Sequence, residues 1–151
     1  MVDFQCACAT SRQLARVLTQ LYDSRLRSTG LEAPQFALMM TLAKQGPCGP
    51  VDLGRRYALD KTTVSRNLKL LERKGWIESS AAPDKRKREF ILTASGRKRL
   101  AAAKPHWRKA QNLLRAGMSA RQWDEMFRVF RAVTQTVQTL QDDIGKKERK
   151  V

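Results

Sequence analysis

The sequence predicts a mainly α-helical protein with one small β-hairpin, and three features of the chain carry this prediction. Apolar residues recur at spacings of three and four through most of its 151 residues, as on the buried face of a helix. Two prolines and two glycines between residues 46 and 50 break this pattern. Between residues 76 and 93, two segments with strand-like composition flank a basic stretch. The length suits one compact domain or two small lobes.

The chain is strongly basic, with 30 Lys and Arg residues against 14 Asp and Glu and a formal net charge of +16. This balance indicates a polyanionic partner, and double-stranded DNA is the first choice. A membrane would attract the same charge, but no apolar run approaches the ~18 residues of a spanning helix. The N-terminus does not resemble a signal peptide, because Asp3 and Gln5 interrupt it. We therefore expect a cytoplasmic protein without a membrane partner.

Three helices are predicted in the first 60 residues. The first has an apolar face built mainly from leucines, with Leu14 and Leu18 among them, and it ends near Gly30. The second is mostly apolar and contains Pro34 in its first turn, where proline is well tolerated. The third is a short helix from Val51 to Tyr57 that follows the glycine and proline break.

The fourth helix, from Asp60 to Lys74, is the most informative segment. Its apolar residues share one face, Asp60 can cap its first turn, and Gly75 stands where helices commonly end in the left-handed conformation. Because only a tight link separates it from the third helix, the two form a helix-turn-helix. Hydrogen-bonding side chains and cations occupy the opposite face: Thr62, Thr63, Ser65, Arg66, Lys69 and Arg73.

This polar face is a candidate for entry into the major groove of DNA. An ordinary solvated helix has a similar face, and the helix-turn-helix context favours DNA. The hydroxyl residues lie near the N-terminus of the helix, where free amides and the helix dipole favour phosphate. We expect Arg66 to contact base edges or phosphate.

A β-hairpin is predicted after Gly75, with strands at Trp76–Ser79 and Glu89–Thr93. Its tip carries four consecutive cations: Lys85, Arg86, Lys87 and Arg88. Such a tip can simply promote solubility, but on a projecting wing it would lie along a phosphate backbone, with Arg86 reaching into the minor groove. Asp84 would orient Arg86 through a charge-assisted hydrogen bond.

Two helices complete the chain. Thr93 can cap the first, which Pro105 is expected to bend or interrupt. Ser119 and Gln122 have the spacing of a capping box at the start of the second. The apolar face of this last helix extends for about six turns. So long an apolar face needs a partner surface.

The three cysteines, Cys6, Cys8 and Cys48, are an odd number in a chain without a secretion signal, which argues against a disulfide framework. They could bind a soft metal or form a disulfide under oxidants. Alternatively, they are small buried apolar residues. A bond within Cys6-Ala7-Cys8 would be strained, so a disulfide would need Cys48 or a second subunit. No cofactor is expected.

Nothing in the sequence indicates an enzyme. It contains no Gly-rich phosphate loop, and His106, the only histidine, cannot by itself build a metal site or a catalytic triad. Two other classes remain. A basic protein could bind nucleic acid without sequence preference, and a structural protein could use the last helix for dimerisation alone.

The order of these elements, and several residues within them, resemble the MarR family of bacterial winged helix-turn-helix transcription regulators. The matching segments are Leu59–Arg66, Leu71–Gly75, Asp84–Arg86 and Leu92–Gly96, together with Gly30, Leu31 and Gln35 at the passage from the first helix to the second. Two features depart from the family pattern. The strand after Gly75 carries Glu78, Ser79 and Ser80 where relatives often have arginines. Lys85 replaces the first arginine of an Asp-Arg-Arg wing motif, so the charge is kept and the bidentate fork is lost.

The resemblance implies a homodimer that binds a pseudo-palindromic operator as a repressor. It implies dimerisation helices at 1–30 and 97–145, a winged helix-turn-helix lobe at 31–96 and a basic tail at 146–151. The implied dimer interface consists of Leu14, Leu18, Trp123, Phe127, Phe130, Val137 and Leu140. The family also implies a small aromatic or anionic effector, in a crevice for which the candidates are Arg12, Arg16, Tyr22 and Met39. Apolar residues at these positions could equally belong to the core.

The wing hypothesis predicts the effect of Arg86→Ala. Operator binding should weaken, and the slope of log affinity against log salt concentration should fall by about one unit, because one phosphate contact is lost. Binding isotherms at several salt concentrations measure this slope. Identical isotherms for the variant and the parent would exclude the contact.

Overall fold

The computed structural model describes residues 5–81 and 88–148, and it has the predicted architecture of helices with one hairpin. The elements in order are α1 (Ala7–Leu26), a 3-10 turn (Arg27–Thr29), α2 (Ala33–Gln45), α3 (Pro50–Tyr57), α4 (Lys61–Arg73), β1 (Ile77–Ala81), β2 (Arg88–Leu92), α5 (Ala94–Ala116) and α6 (Ala120–Glu148). Across the described residues, none of the helices has the length and apolarity that crossing a bilayer requires.

The chain divides into two compact units, Met1–Ala110 and Gln111–Val151. The first unit contains a hydrophobic core that draws on α1 to α5 and the hairpin. Its most deeply buried side chains, each 0% exposed, include Leu26, Leu38, Met39, Leu53 and Leu71. In the second unit, most apolar side chains of α6 are exposed.

The helix ends predicted from short sequence patterns are confirmed. The Asp60 carboxylate accepts a hydrogen bond from the Thr63 amide at 2.9 Å, and Gly75 has a φ of +68°. Ser119 and Gln122 form the reciprocal capping box, with N–H to side-chain oxygen distances of 2.8 and 3.2 Å.

Two polar contacts join α2 to its neighbours α3 and α1. The Tyr57 hydroxyl at the end of α3 donates to the Ala37 carbonyl at 2.9 Å, which ties α3 to α2. The Asp23 carboxylate on α1 accepts from the Ala33 amide at 2.6 Å and so caps the start of α2.

A short segment of the loop before α3 pairs with the hairpin, which the sequence did not predict. Strands β1 and β2 pair antiparallel, with Ile77 opposite Leu92. On its other edge, Phe90 exchanges two backbone hydrogen bonds with Cys48, at 3.1 and 3.2 Å. The glycine and proline loop before α3 is therefore anchored to the hairpin.

Helix α5 begins in close contact with the chain between α4 and the hairpin. The Thr93 hydroxyl donates to the Gly75 carbonyl at 2.6 Å and accepts from the Gly96 amide at 2.9 Å. Gly96 packs directly on Trp76, and a Cβ at position 96 would overlap the Trp76 carbonyl oxygen. Only glycine allows this approach.

The expectation that Pro105 could interrupt this helix is wrong, because α5 continues through it. Proline removes one backbone hydrogen bond from the helix. Packing on both sides compensates for that loss. Ala103 is fully buried, and the Trp107 ring stacks on Phe36 with centroids 5.8 Å apart.

The packing of Gly96 predicts the effect of Gly96→Ala. Alanine normally stabilises a helix by about 1 kcal/mol relative to glycine. Here the overlap with the Trp76 carbonyl should dominate and lower the free energy of unfolding by roughly 1–3 kcal/mol. Denaturant titrations at one protein concentration measure the difference.

Gly145→Ala in α6 is the matched control, since a Cβ there meets no atom within 4 Å. It should be neutral or stabilising by up to about 1 kcal/mol. Equal unfolding midpoints for Gly96→Ala and the parent would show that α5 moves away at little cost.

Candidate DNA-binding surface

Helix α4 presents one buried face and one exposed face, as its sequence predicts. Val64, Leu68 and Leu71 pack into the core with exposed fractions of 2% or less. On the opposite side, four polar or cationic side chains repeat at helical spacing and are exposed: Thr62, Arg66, Lys69 and Arg73. The helix therefore holds a row of hydrogen-bond donors about three turns long on a fixed support.

Two of the predicted contact residues have a different environment. The Thr63 hydroxyl donates to the second carboxylate oxygen of Asp60 at 2.6 Å, so it belongs to the helix cap. Hydrogen bonds from Thr63 also hold the pKa of the Asp60 carboxyl below its usual value, which keeps the cap ionised at neutral pH. Ser65 is half-buried. Neither side chain is as open to DNA as Thr62 and Arg66 are.

Arg88, the first residue of β2, contacts other residues of the chain. Its guanidinium lies 2.7 Å from the Glu72 carboxylate on α4 and donates to the Ser79 hydroxyl on β1 at 3.1 Å. It also stacks on the Phe90 ring, 5.0 Å from the centroid. Arg88 therefore joins the hairpin, which is the predicted wing, to α4, the candidate recognition helix. The sequence did not reveal this role. The other wing residues predicted to act on DNA, Asp84, Lys85, Arg86 and Lys87, lie outside the described residues.

Further cations beside α4 were also missed by the sequence analysis. Arg55, Arg56 and Lys61 are exposed on α3 and on the first turn of α4. Arg55 and Lys61 line a groove of about 470 Å³ between these helices, over a largely apolar floor. The adjacent arginines Arg55 and Arg56 on α3 were the feature of the sequence that could have indicated these further contacts.

A small apolar cavity lies between α1, α2 and α5. It has a volume of about 210 Å³ and is lined by Tyr22, Leu26, Ala33, Phe36, Ala37, Met40 and Trp107. Of the four predicted effector residues, the structure places only Tyr22 here. Met39 is fully buried in the core, and Arg12 and Arg16 are exposed on earlier turns of α1. Burial raises the pKa of the Tyr22 hydroxyl, which stays neutral at physiological pH.

The three cysteines do not form a metal site. Within residues 5–81 and 88–148, no three His, Cys, Asp or Glu side chains are placed to hold an ion. Cys48 is buried and fixed by its pairing with Phe90, and this burial raises the pKa of its thiol, with Asp52 adding to the shift. Cys8 is exposed near the start of α1, and Cys6 is half-buried at the preceding cap position. Of the three thiols, those of Cys6 and Cys8 are therefore the ones open to solvent.

The residues predicted for dimerisation differ in exposure. Phe127, Phe130, Val137 and Leu140 form an exposed apolar face on α6. Trp123 is only 8% exposed, because it packs edge-on against Phe127 and lies under the Arg115 guanidinium. On α1, Leu14 is exposed and Leu18 half-buried.

The ion pair between Arg88 and Glu72 predicts that Arg88→Gln weakens DNA binding by up to about fivefold, because an exposed ion pair contributes up to about 1 kcal/mol. The slope of log affinity against log salt concentration should not change, because no phosphate contact is lost. Glu72→Gln should also weaken binding, although it removes a negative charge from the DNA-binding side. The double variant should lose little more, because the two side chains act as a pair. Affinities at several salt concentrations measure all three effects.

Arg66→Gln is the comparison for a direct contact, and it should lower the slope by about 0.9 for one phosphate. If Glu72→Gln instead strengthens binding and Arg88→Gln lowers the slope, Arg88 touches the DNA backbone.

Comparisons with known proteins agree with this geometry. Residues 31–88 match the model of the MarR family. The transcriptional regulator MosR of M. tuberculosis, solved in complex with DNA, is 32% identical; the match covers 89% of this chain and 98% of MosR, with a TM-score of 0.80. Reduced AbfR, solved bound to DNA, is 25% identical over 88% of this chain and 91% of AbfR, with a TM-score of 0.72.

An uncharacterized HTH-type transcriptional regulator of Bacillus subtilis (strain 168), YwoH, is 28% identical over 87 residues. That match spans 58% of this chain and 64% of YwoH, a little less than two thirds of the relative. Two findings assign the family: the likeness to MosR over nearly its whole length, and the match of residues 31–88 to the family model. This chain belongs to the MarR family of DNA-binding transcriptional regulators, which are not enzymes.

Proposed function

We propose that this protein binds a pseudo-palindromic DNA operator as a homodimer in the cytoplasm and represses transcription. The capped recognition helix carries the proposal. It exposes Thr62, Arg66, Lys69 and Arg73 as one row, while Glu72 and Arg88 link it to the wing. A basic protein that binds any nucleic acid needs charge alone and has no use for this arrangement. MosR, which shares the fold over nearly its whole length, has been solved on DNA.

The exposed face of α6 supports the homodimer. Val137 and Leu140 are 45% and 56% exposed, and Phe127 and Phe130 continue the same face. Apolar side chains repeated along so many turns are favourable only when another surface covers them. A second copy of α6 related by a two-fold axis covers them with the same residues. Two recognition helices then engage half-sites about one helical turn, or ~34 Å, apart.

A small aromatic molecule is the proposed effector, and the cavity near Tyr22 is its proposed site. The lining is apolar and includes the Phe36 and Trp107 rings. Its volume of about 210 Å³ exceeds that of an engineered apolar cavity of ~150 Å³ that binds benzene. The pocket favours an aromatic ring over a fully hydrated anion, because burying an unpaired charge is costly.

Thiol oxidation is a second proposed route of release. It rests on the exposed Cys8 beside Cys6, at the end of a helix with an apolar face proposed for dimerisation. AbfR has been solved on DNA in its reduced form. Cys48 is excluded as the partner thiol because it is buried and its pKa is raised. A bond between subunits is the remaining geometry, since a bond within Cys6-Ala7-Cys8 is strained.

Selection of bound duplexes from random DNA by the purified full chain tests the operator. The proposal predicts an enriched inverted repeat, two chains per duplex by light scattering, and binding that survives an excess of unrelated DNA. Leu140→Lys should shift the mass towards the monomer and weaken binding at least about tenfold, because the two half-sites no longer act together. Its matched control is Thr139→Lys, which adds the same charge outside the apolar face, about 100° around α6 from Leu140, and should preserve both properties.

The same binding assay, repeated with aromatic acids and with a mild oxidant, tests the two routes of release. Ala37→Val should narrow the cavity and weaken the response to the aromatic molecule only. Cys6→Ser with Cys8→Ser should remove the response to the oxidant only. Enrichment of no common sequence would contradict the operator, and equal masses for Leu140→Lys and the parent would contradict the interface.

A further inference from the structure

Trp76 lies where the recognition helix ends and the hairpin begins, and two cations pack on its ring. The Lys74 ammonium is 4.6 Å from the ring centroid, and the Arg99 guanidinium on α5 is 5.0 Å from it. Both distances are within the range of cation–π attraction. Trp76 is 8% exposed, and its backbone carbonyl accepts a hydrogen bond from the Thr93 amide at 3.1 Å. The ring is therefore a fixed support for both cations.

Both cations also hydrogen bond to the turn that follows α1. Lys74 Nζ donates to the Gly30 carbonyl at 2.8 Å, and Arg99 Nη1 donates to the Thr29 carbonyl at 3.1 Å. These are carbonyls at the C-terminal end of a helix, where the helix dipole favours positive charge. Gly30 is in the left-handed conformation, with a φ of +72°, which ends the 3-10 turn. Two separate side chains thus reach the same turn.

We propose that Lys74, Trp76 and Arg99 form a clamp that positions the recognition helix relative to α1. Lys74 is the residue immediately after α4, so its bond to Gly30 joins the end of that helix directly to the turn after α1. Arg99 makes the second connection from α5. The proposal rests on the proposed homodimer, in which α1 contributes to the interface. In that dimer, the angle of α4 against α1 sets the distance between the two recognition helices.

The clamp residues are positioning residues and not DNA contacts. Lys74 and Arg99 are exposed, as are Arg73 and Lys98, their neighbours in sequence. The Lys74 and Arg99 head groups, however, are bonded to backbone carbonyls and lie over the Trp76 ring. The four cations therefore provide two matched pairs. Lys74 with Arg99 can be removed together, and Arg73 with Lys98 can be removed as a control with the same loss of charge.

The test measures how strictly the protein requires one half-site spacing. Affinity is determined for a set of operators in which one half-site is moved by one or two base pairs, each shifting it by about 3.4 Å along the axis. We expect the parent to prefer its own spacing by roughly tenfold or more. In the double variant Lys74→Gln/Arg99→Gln, the affinities for the different spacings should lie within about threefold of one another, because the contacts that fix the angle of α4 are lost. The salt slope should not change, because no phosphate contact is lost.

Three controls distinguish positioning from other effects. Arg73→Gln/Lys98→Gln should lower affinity and the salt slope and keep the spacing preference. Lys74→Arg/Arg99→Lys should keep the preference, because both cations and their carbonyl bonds remain. Thermal unfolding midpoints show whether each variant folds.

A clamp variant that folds and keeps the spacing preference of the parent overturns the clamp and leaves the operator proposal intact. A parent that shows no spacing preference overturns both the dimeric operator proposal and the clamp. A preference that flattens in the clamp variant alone supports the clamp.

Discussion

The close approach of α5 to the chain at Gly75 and Trp76 is the contact on which the rest of the first unit depends. Gly96 makes it possible by having no side chain, and the Thr93 hydroxyl bridges the Gly75 carbonyl to the first turn of α5. This one junction fixes where the recognition helix ends, where the hairpin begins and where α5 starts. The Leu-Thr-x-x-Gly pattern at residues 92–96 is therefore required by the packing of the fold, independently of any contact with DNA.

Positive charge serves two purposes in this molecule, and only contacts distinguish them. Arg88, Lys74 and Arg99 each bind a carboxylate or a carbonyl within the first unit. Other cations, such as Arg66 and Lys69, are exposed on the recognition helix. A net charge of +16 predicts a polyanionic partner, but it cannot assign a cation to either group. In the proposed clamp, the cations that are bonded within the unit orient the surface on which the unbonded ones act.

The features that could be predicted from the sequence are those determined within a few residues. The Asp60 cap, the Gly75 terminus and the Ser119–Gln122 capping box each involve positions at most three apart, so the pattern contains the contact. The missed features join distant segments. Arg88 meets Glu72 across 16 positions and Lys74 meets Gly30 across 44, and tertiary packing alone brings these groups together. Packing also explains why α5 continues through Pro105, against the local preference.

The end of α1 connects the proposed effector cavity to the recognition helix. Leu26 lines the cavity, and its carbonyl accepts a hydrogen bond from the Thr29 hydroxyl at 2.6 Å. The Thr29 and Gly30 carbonyls are the ones that Arg99 and Lys74 bind. In the proposed mechanism, a ligand that displaced Leu26 would act on the same turn that the clamp holds, and close packing would pass the movement to the end of α4. By this route, a change of about one side-chain width at the cavity can alter half-site spacing without touching a DNA-binding residue.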